Sequence, residues 1–466
     1  MEPEVRRDAH EAQSYSLRGR AGPVVLDAQG VHHPTTARGG RTFTRYEDVI
    51  HLTLSPRALW LGGRRTVAVL PRKAFVSPEA PEALTRALIE RIAARPGSRA
   101  QLARMAEIEE RARACPPARA TWGLTVVCLI VYALQIAVGH DVYDVGHMSP
   151  PLVADGDAWR LVTANLLHAE SFIPVHLILN LIGLVAFGTL CERPLGTART
   201  LAVMGVSGLA AMTASAWADY AEVVGVSGVV FGLLGAVTWL EWFRTDELPA
   251  WWRVPRRALL AMLLLSLVLG FVTPMIAGAA HVGGFAAGAL CAALLAERPL
   301  SIGPAPTPVR ALAALTLLAT VAGVTAAGAQ LLAPGDYGAR YLARLGELPR
   351  ISPLELNNRA WLVAVDEKST PEKREAALEL AERAVRETDR KEPTLLDTLA
   401  ELQFVLGERD AAVATIEEAI ALDPAEPYYT EQRRRFLGER TDRPPPPSPF
   451  RRPVPAMPSK GKDVTV

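Results

Sequence analysis

Cysteine is scarce: four residues in 466 (Cys115, Cys128, Cys191 and Cys291), with no paired spacing between them. That excludes a disulfide framework or a thiolate metal site, and all four are read as small apolar packing residues. No motif for a cofactor or a metal is found, so neither is expected. An excess of charge of one sign is missing too. Lys and Arg number 50 against 49 Asp and Glu, a formal net charge of +1, so nucleic acid is not expected as a partner. The opening MEPEVRRDAH is polar, so no cleavable leader is expected and the first membrane helix would act as its own insertion signal.

What the chain does have is apolar residues, half of the total, unevenly placed. Residues 1–118 and 335–466 are rich in Arg and Glu, whereas 122–332 hold nearly uncharged runs. Apolar runs of about twenty residues match the thickness of a bilayer. Seven spans are expected, near 122–139, 174–191, 199–216, 226–242, 258–273, 278–296 and 310–332. Arg193 with Arg199, Arg244 with Arg253, Arg256 and Arg257, and Arg298 with Arg310 fall in alternate loops; the loops between them hold only Arg160. Basic loops mark the cytoplasmic side. The N-terminal region is therefore expected in the cytoplasm, and an odd number of spans puts 335–466 outside. Abundant Ala, Arg, Gly and Pro suggest a GC-rich bacterial genome, hence a bacterial inner (plasma) membrane.

Five regions follow: 1–118, 119–300, 301–334, 335–440 and 441–466. In the first, 22–76 alternates β-branched and apolar residues with turn signals, and Gly62-Gly63 marks a hairpin. A helix is expected from about Pro81 to Ala94, ended by Pro96 and Gly97. This small β-rich domain resembles bacterial PH-like domains, and its bland alternative is an accessory cytosolic domain. A charged helix, roughly 98–114, leads into the membrane. In the fourth region AALELAERAV (376–385) aligns with AAVATIEEAI (411–420), each after an apolar helix. Such α-helical repeats resemble tetratricopeptide units, whose stacks bind proteins, and two units need further helices or a partner as caps. The last region is a proline-rich tail, read as disordered.

The sequence GVSG occurs twice, at 205–208 and 225–228. Ser207 lies mid-span, where glycine and serine let helices approach and a serine hydroxyl can bond a carbonyl one turn back. It is read as a packing residue. Ser227 opens span four just below the outer surface. His281 opens span six, and His176 and Asn180 open span two, at the same depth on helices running in the same direction. Polar side chains inside a membrane are costly and usually functional. Gly228 with Gly232, and Gly284 with Gly288, form GxxxG pairs that permit close helix approach. A histidine base within hydrogen-bond reach makes serine a nucleophile. Ser227 is then the nucleophile and His281 the general base and acid. The Ser227 amide, Asn180 and His176 are candidate oxyanion donors; the last two share a helix face. The G-x-S-x-G elbow of soluble hydrolases does not apply, since no strand precedes this serine.

GVSGVVFGLLGA (225–236), AHVGGFAAG (280–288), HLILN (176–180) and WRLVTANLLH (159–168) together resemble the rhomboid family of intramembrane serine proteases, over roughly 122–296. The resemblance implies an all-α polytopic membrane protein: a six-helix bundle, here with a seventh span and two soluble additions. It implies a Ser–His dyad without a third acid, matching Ser227 and His281, and oxyanion donors at His176, Asn180 and the Ser227 amide. It implies structural roles for Trp159 and Arg160 in the first outer loop; Gly225, Gly228 and Gly284 complete its motifs. Transmembrane proteins within the lipid bilayer are the implied substrates. The family's two histidines near span two usually stand closer together than His168 and His176; here AESFIP intervenes.

Blander readings apply elsewhere. His168 is mainly structural. His140, His147, Asp219 and Glu222 are solvated loop residues, and Glu192 with Arg193 forms an interfacial pair or a cytosolic cap. Two other functions compete with this reading. One is a catalytically silent protein of the same fold that binds membrane clients, with the repeats as scaffold, against which intact Ser227 and His281 count. The other is a transporter or scaffold in which the repeats do the work; a transporter would show mid-membrane charge or interrupted helices, and the sequence has neither. The repeats are expected to bind a protein partner.

Overall fold

The computed structural model describes residues 12–19, 22–34, 40–169, 174–218, 220, 222–272, 276–300, 303–333, 337–347, 351–442 and 444. It divides into two units, Met1–Ala329 and Gln330–Val466.

The first unit starts with seven strands in two antiparallel sheets. One holds β1 (Gln13–Tyr15), β2 (Val24–Leu26), β3 (Gly30–Pro34) and β4 (Arg41–Arg45); the other holds β5 (Val49–Leu54), β6 (Ala58–Gly63) and β7 (Val67–Pro71). The β6–β7 hairpin closes through Gly63 N–H to Thr66 O at 2.9 Å, so Gly62 and Gly63 end a strand just before the turn. Helix α1 (Ala80–Ala93) covers the sheets with Leu84, Leu88 and Ile92, spaced so that they share one face. Helix α2 (Ser98–Ala114) then leads to the apolar region.

A bulge in β5 between Val49 and His51 breaks the in–out alternation, and Val49, Ile50 and His51 are all buried. His51 thereby reaches the segment between the fourth and fifth apolar helices. Its Nδ1 accepts from Ala250 N–H at 3.2 Å, and its Nε2–H donates to Glu109 Oε2 at 2.9 Å. Burial pushes its pKa down, and the Glu109 carboxylate works against that shift. Arg253 adds a second link: it pairs with Glu241 at 2.6 Å and donates to the carbonyl of Gly63.

Seven apolar helices follow, one for each expected span: α3 (Arg119–Val138), α7 (Val175–Leu195), α8 (Thr197–Trp217), α9 (Ser227–Phe243), α10 (Arg256–Val272), α11 (Gly278–Leu295) and α12 (Thr307–Leu332). Between α3 and α7 lie the short α4 (His140–Gly146), α5 (Pro150–Ala154) and α6 (Arg160–Thr163). Five of the seven, α3, α7, α8, α11 and α12, are long and apolar enough to cross a membrane. The other two, α9 and α10, have 17 residues each. At 1.5 Å per residue that is about 26 Å, slightly less than a hydrocarbon core of about 30 Å.

Burial sorts these helices. In α9, Gly228, Val229, Gly232, Leu233, Gly235, Ala236 and Val237 are buried, so this short helix is apolar all round and central. In contrast α10 exposes Leu260, Leu264, Leu265 and Val268, and α3 exposes Val126, Leu129 and Ile130. Glycines set the closest contact. A Cβ on Gly284 would collide with the Gly228 carbonyl, one on Gly288 with the Gly232 carbonyl, and one on Gly235 with the Phe285 carbonyl. The backbones of α9 and α11 therefore touch along their length. The seventh span packs on the others: Thr316 fills the space beside Gly205, and a Cβ on Gly323 would stand 3.4 Å from Val162.

The second unit contains α13 (Tyr337–Glu347), α14 (Pro353–Val365), α15 (Pro371–Glu387), α16 (Pro393–Val405), α17 (Arg409–Leu422) and α18 (Pro427–Phe436). The Ser352 and Thr370 hydroxyls cap α14 and α15, accepting from Glu355 N–H and Lys373 N–H, with proline at the helix start. The two aligned segments, 376–385 and 411–420, lie on α15 and α17. Each packs with its preceding helix, while α13 and α18 cover the ends of the stack. Asp397 and Glu401 of α16 are buried with Tyr428, Gln432 and Arg435 of α18; Tyr428 donates to Asp397 at 3.2 Å, and Arg435 pairs with Glu401. The expected proline-rich tail lies outside the described residues, apart from a few at its start.

Candidate active site

Gly225 has φ +120°, a conformation that disfavours any side chain, and its N–H donates to Ala164 O at 2.9 Å. This turn starts α9 at Ser227. Helix N-termini leave their first amide groups without intrahelical partners and carry partial positive charge. The Ser227 amide is such a group.

Ser227 Oγ lies 3.1 Å from His281 Nε2. The glycine contacts between α9 and α11 make that reach possible. The other face of the imidazole is held as well: Ser266 Oγ of α10 lies 3.0 Å from His281 Nδ1. When Nδ1–H donates to Ser266, Nε2 is left to accept from the Ser227 hydroxyl. Phe231, one turn after Ser227, stacks on the ring at 4.1 Å between centroids and 18° between planes. The histidine is thus fixed on three sides, by two hydroxyls and an aromatic face.

His176, at the start of α7, accepts from Ala169 N–H on Nδ1 at 3.2 Å, which leaves the proton of a neutral ring on Nε2. That Nε2 lies 3.1 Å from where a Cβ of Gly225 would stand, so the ring rests against the turn before Ser227. Asn180 Nδ2 lies 3.7 Å from the same point and donates to His176 O at 3.0 Å. The structure therefore brings Ser227, His281, His176 and Asn180 together at the N-terminal ends of α7, α9 and α11. His168 is buried, with its ring 5.3 Å from that of His176. Its backbone is held by Gln135, whose side chain donates to His168 O at 3.0 Å and accepts from His168 N–H at 3.1 Å.

Trp159 and Arg160 lie in the α4–α6 region. Arg160 is 0% exposed. Its guanidinium donates to His147 O at 2.6 Å, Asp144 O at 2.8 Å and Asp157 Oδ2 at 3.3 Å, while Trp159 Nε1 donates to Val145 O at 3.2 Å. These bonds tie α4 and the turn at Asp157 to the start of α6 beside the site.

Several expectations need correction. His147 is not solvated: it is buried, its ring donates from Nδ1 to Tyr143 O at 2.9 Å, and it stacks on Tyr143. Glu222 accepts from Tyr143 O–H at 3.4 Å, joining the loop before α9 to α4. Ser207 packs against Gly232, but its Oγ has no partner among the described residues, so the expected bond one turn back is not made. Of the two readings of Glu192, the cap holds and the pair with Arg193 does not. Its carboxylate caps the start of α3 by accepting from Ala120 N–H, Thr121 N–H and Thr121 Oγ1, and also from Thr197 Oγ1. Asp219, residues 170–173 of the insert and the His140 side chain lie outside the described residues.

Sequence reasoning missed Ser266 and Phe231. Ser266 is the one hydroxyl in RRALLAMLLLSLVLGFV, and a lone polar residue in an apolar span was the available signal. Phe231 stands four residues after Ser227, hence on its helix face.

Comparison with known proteins agrees with this architecture. The Rhomboid domain model matches residues 155–298. The chain is 27% identical over 170 residues to the rhomboid protease GlpG of Haemophilus influenzae, covering 35% of this chain and 84% of that one. It is 27% identical over 283 residues to the rhomboid protease GluP of Bacillus subtilis, covering 60% of this chain but only 49% of the relative. It is 31% identical over 148 residues to the putative rhomboid protease YdcA of the same organism, covering 31% of this chain and 71% of that one. With five helices fit to cross a bilayer, the chain is a multi-pass membrane protein. It belongs to the rhomboid family, a family of intramembrane proteases.

Proposed function

We propose that this protein is a serine endopeptidase that cuts transmembrane segments of membrane proteins by a Ser227–His281 dyad. The observation that carries this reading is the 3.1 Å contact between Ser227 Oγ and His281 Nε2, on helices locked together by glycine. Serine is a poor nucleophile until a base takes its proton. As Oγ bonds to the scissile carbonyl carbon, its proton passes to Nε2. The resulting oxyanion is met by the Ser227 amide, His176 Nε2–H and the Asn180 amide. Collapse breaks the carbon–nitrogen bond, and Nε2 gives the proton to the leaving amine. Water then attacks the acyl ester and yields a proton to Nε2, which returns it to Ser227 Oγ. Ser266 is a positioning residue: by accepting from Nδ1–H it selects the tautomer in which Nε2 is the base. A substrate helix has to unwind locally first, because its carbonyls are already hydrogen-bonded.

In this reading the basic loops face the cytoplasm of a bacterial inner membrane, with the N-terminal β-rich domain on that side and the 337–442 helices outside. Those helices are tetratricopeptide-like and bind a protein partner, a role that their paired stacking supports.

The test is cleavage of a single-span reporter in liposomes by the native chain and by Ser227→Ala, His281→Ala and Ser207→Ala. Cleavage lost in the first two and kept in the third is expected. A native chain that cuts while Ser227→Ala cuts equally well would overturn the assignment. Deleting 337–466 is expected to slow cleavage of a natural client and to leave the reporter unaffected; unchanged cleavage of every client would refute recruitment by the repeats.

A further inference from the structure

At the end of the membrane helices away from Ser227, where α3 begins and α7 ends, lies a cavity of about 330 Å³ bordered by Cys115, Trp122, Thr189, Arg193, Trp251 and Trp252. A water molecule occupies roughly 30 Å³ of liquid, so the space suits a larger group. Its chemistry is one-sided. Arg193 and Thr189 offer N–H and O–H donors, and no carboxylate is among the described lining residues. Arg193 has no ion pair among the described residues, and the adjacent Glu192 is fully engaged in capping α3 and bonding Thr197. A guanidinium fork and a hydroxyl around one space call for an anion with several acceptor oxygens. The location narrows the choice. The apolar run of α3 starts here and that of α7 ends here, at the level where tryptophan rings sit between lipid and water. Trp122 is 55% exposed on the outward face, beside which an acyl chain would run.

We propose that this cavity binds the phosphate of an anionic membrane phospholipid, with Arg193 gripping the phosphate oxygens and the Thr189 hydroxyl as a further donor. Basic pockets between membrane helices commonly hold such headgroups. The site stands apart from the dyad and from the chemistry proposed for it.

The experiment is native mass spectrometry of the full chain in neutral detergent, titrated with phosphatidylglycerol and, in a parallel arm, with inorganic phosphate. One phosphatidylglycerol is expected to be retained by the native chain and by the control Arg310→Gln, and about tenfold less tightly by Arg193→Gln, the scale of one lost charged hydrogen bond. Should Arg193→Gln fail to fold, Thr189→Val keeps the side-chain shape and removes only the hydroxyl, and a several-fold loss is expected. Equal retention by the native chain and the variants would overturn the site. Displacement of the lipid by millimolar inorganic phosphate would overturn the lipid assignment in favour of a free-phosphate site.

Discussion

Replacing Gly284 by alanine puts a methyl group well inside van der Waals contact with the Gly228 carbonyl oxygen. That oxygen belongs to the α9 backbone, so no side-chain rotation relieves the overlap. Carbon–oxygen contacts settle near 3.3–3.6 Å, so α11 has to move away from α9 by about 1 Å. His281 rides on α11 one turn before Gly284, and Ser227 is the residue before Gly228 on α9. The separation falls on the 3.1 Å contact itself. A misplacement of about 1 Å costs on the order of 10²-fold in rate, and the overpacking costs about 1–3 kcal/mol of stability. Reporter cleavage in liposomes, with melting temperature measured in parallel, reads both effects. Gly123→Ala is the control, because nothing lies within 4 Å of a Cβ there. If Gly284→Ala cut as fast as the native chain, glycine contact would not be what sets the serine–histidine distance.

Ser266→Ala removes one neutral hydrogen bond, worth about 0.5–1.5 kcal/mol, so kcat should fall by roughly 2- to 13-fold with KM unchanged. Ser266→Thr, which keeps the hydroxyl, should recover most of the loss; a thousandfold drop, or none, would contradict a positioning role. In the second unit, burial pushes the Asp397 carboxyl up to about 7 from 3.8. The folded form then holds a proton that the unfolded chain releases, so this contribution to stability is present below about pH 4 and is lost as pH rises through about 7. Limited proteolysis of the full chain should therefore open the 337–442 region more readily at pH 8 than at pH 5, and Asp397→Asn should flatten the difference.

How much of this was legible in the sequence depends on dimension. Depth along a membrane normal is a one-dimensional quantity, and residue counting gives it. That is how Ser227, His281, His176 and Asn180 could be set in one layer before any coordinates. The rotation of a helix about its own axis is a lateral quantity. In α10, where nearly every residue is apolar, periodicity does not tell which side faces α11, so Ser266 stayed hidden. The loop histidines failed for a related reason. Residue type suggested a solvated His147, but the Arg160 guanidinium gathers the loop carbonyls and ties α4 to the start of α6. Docking through His51 was not legible either, since it depends on a bulge that one strand adopts. The Glu192 cap was half legible: its place at a helix end could be read, but its partner on α3 stands 71 or more positions away.

The decisive measurement is the site of covalent capture by a serine-directed fluorophosphonate. The full chain in liposomes would be treated with the probe, digested and mapped by mass spectrometry. The account predicts an adduct on Ser227 and none on Ser207, with labelling lost in His281→Ala and weakened in Ser266→Ala. An adduct on another serine, or native cleavage that persists with Ser227 unlabelled at saturating probe, would contradict it.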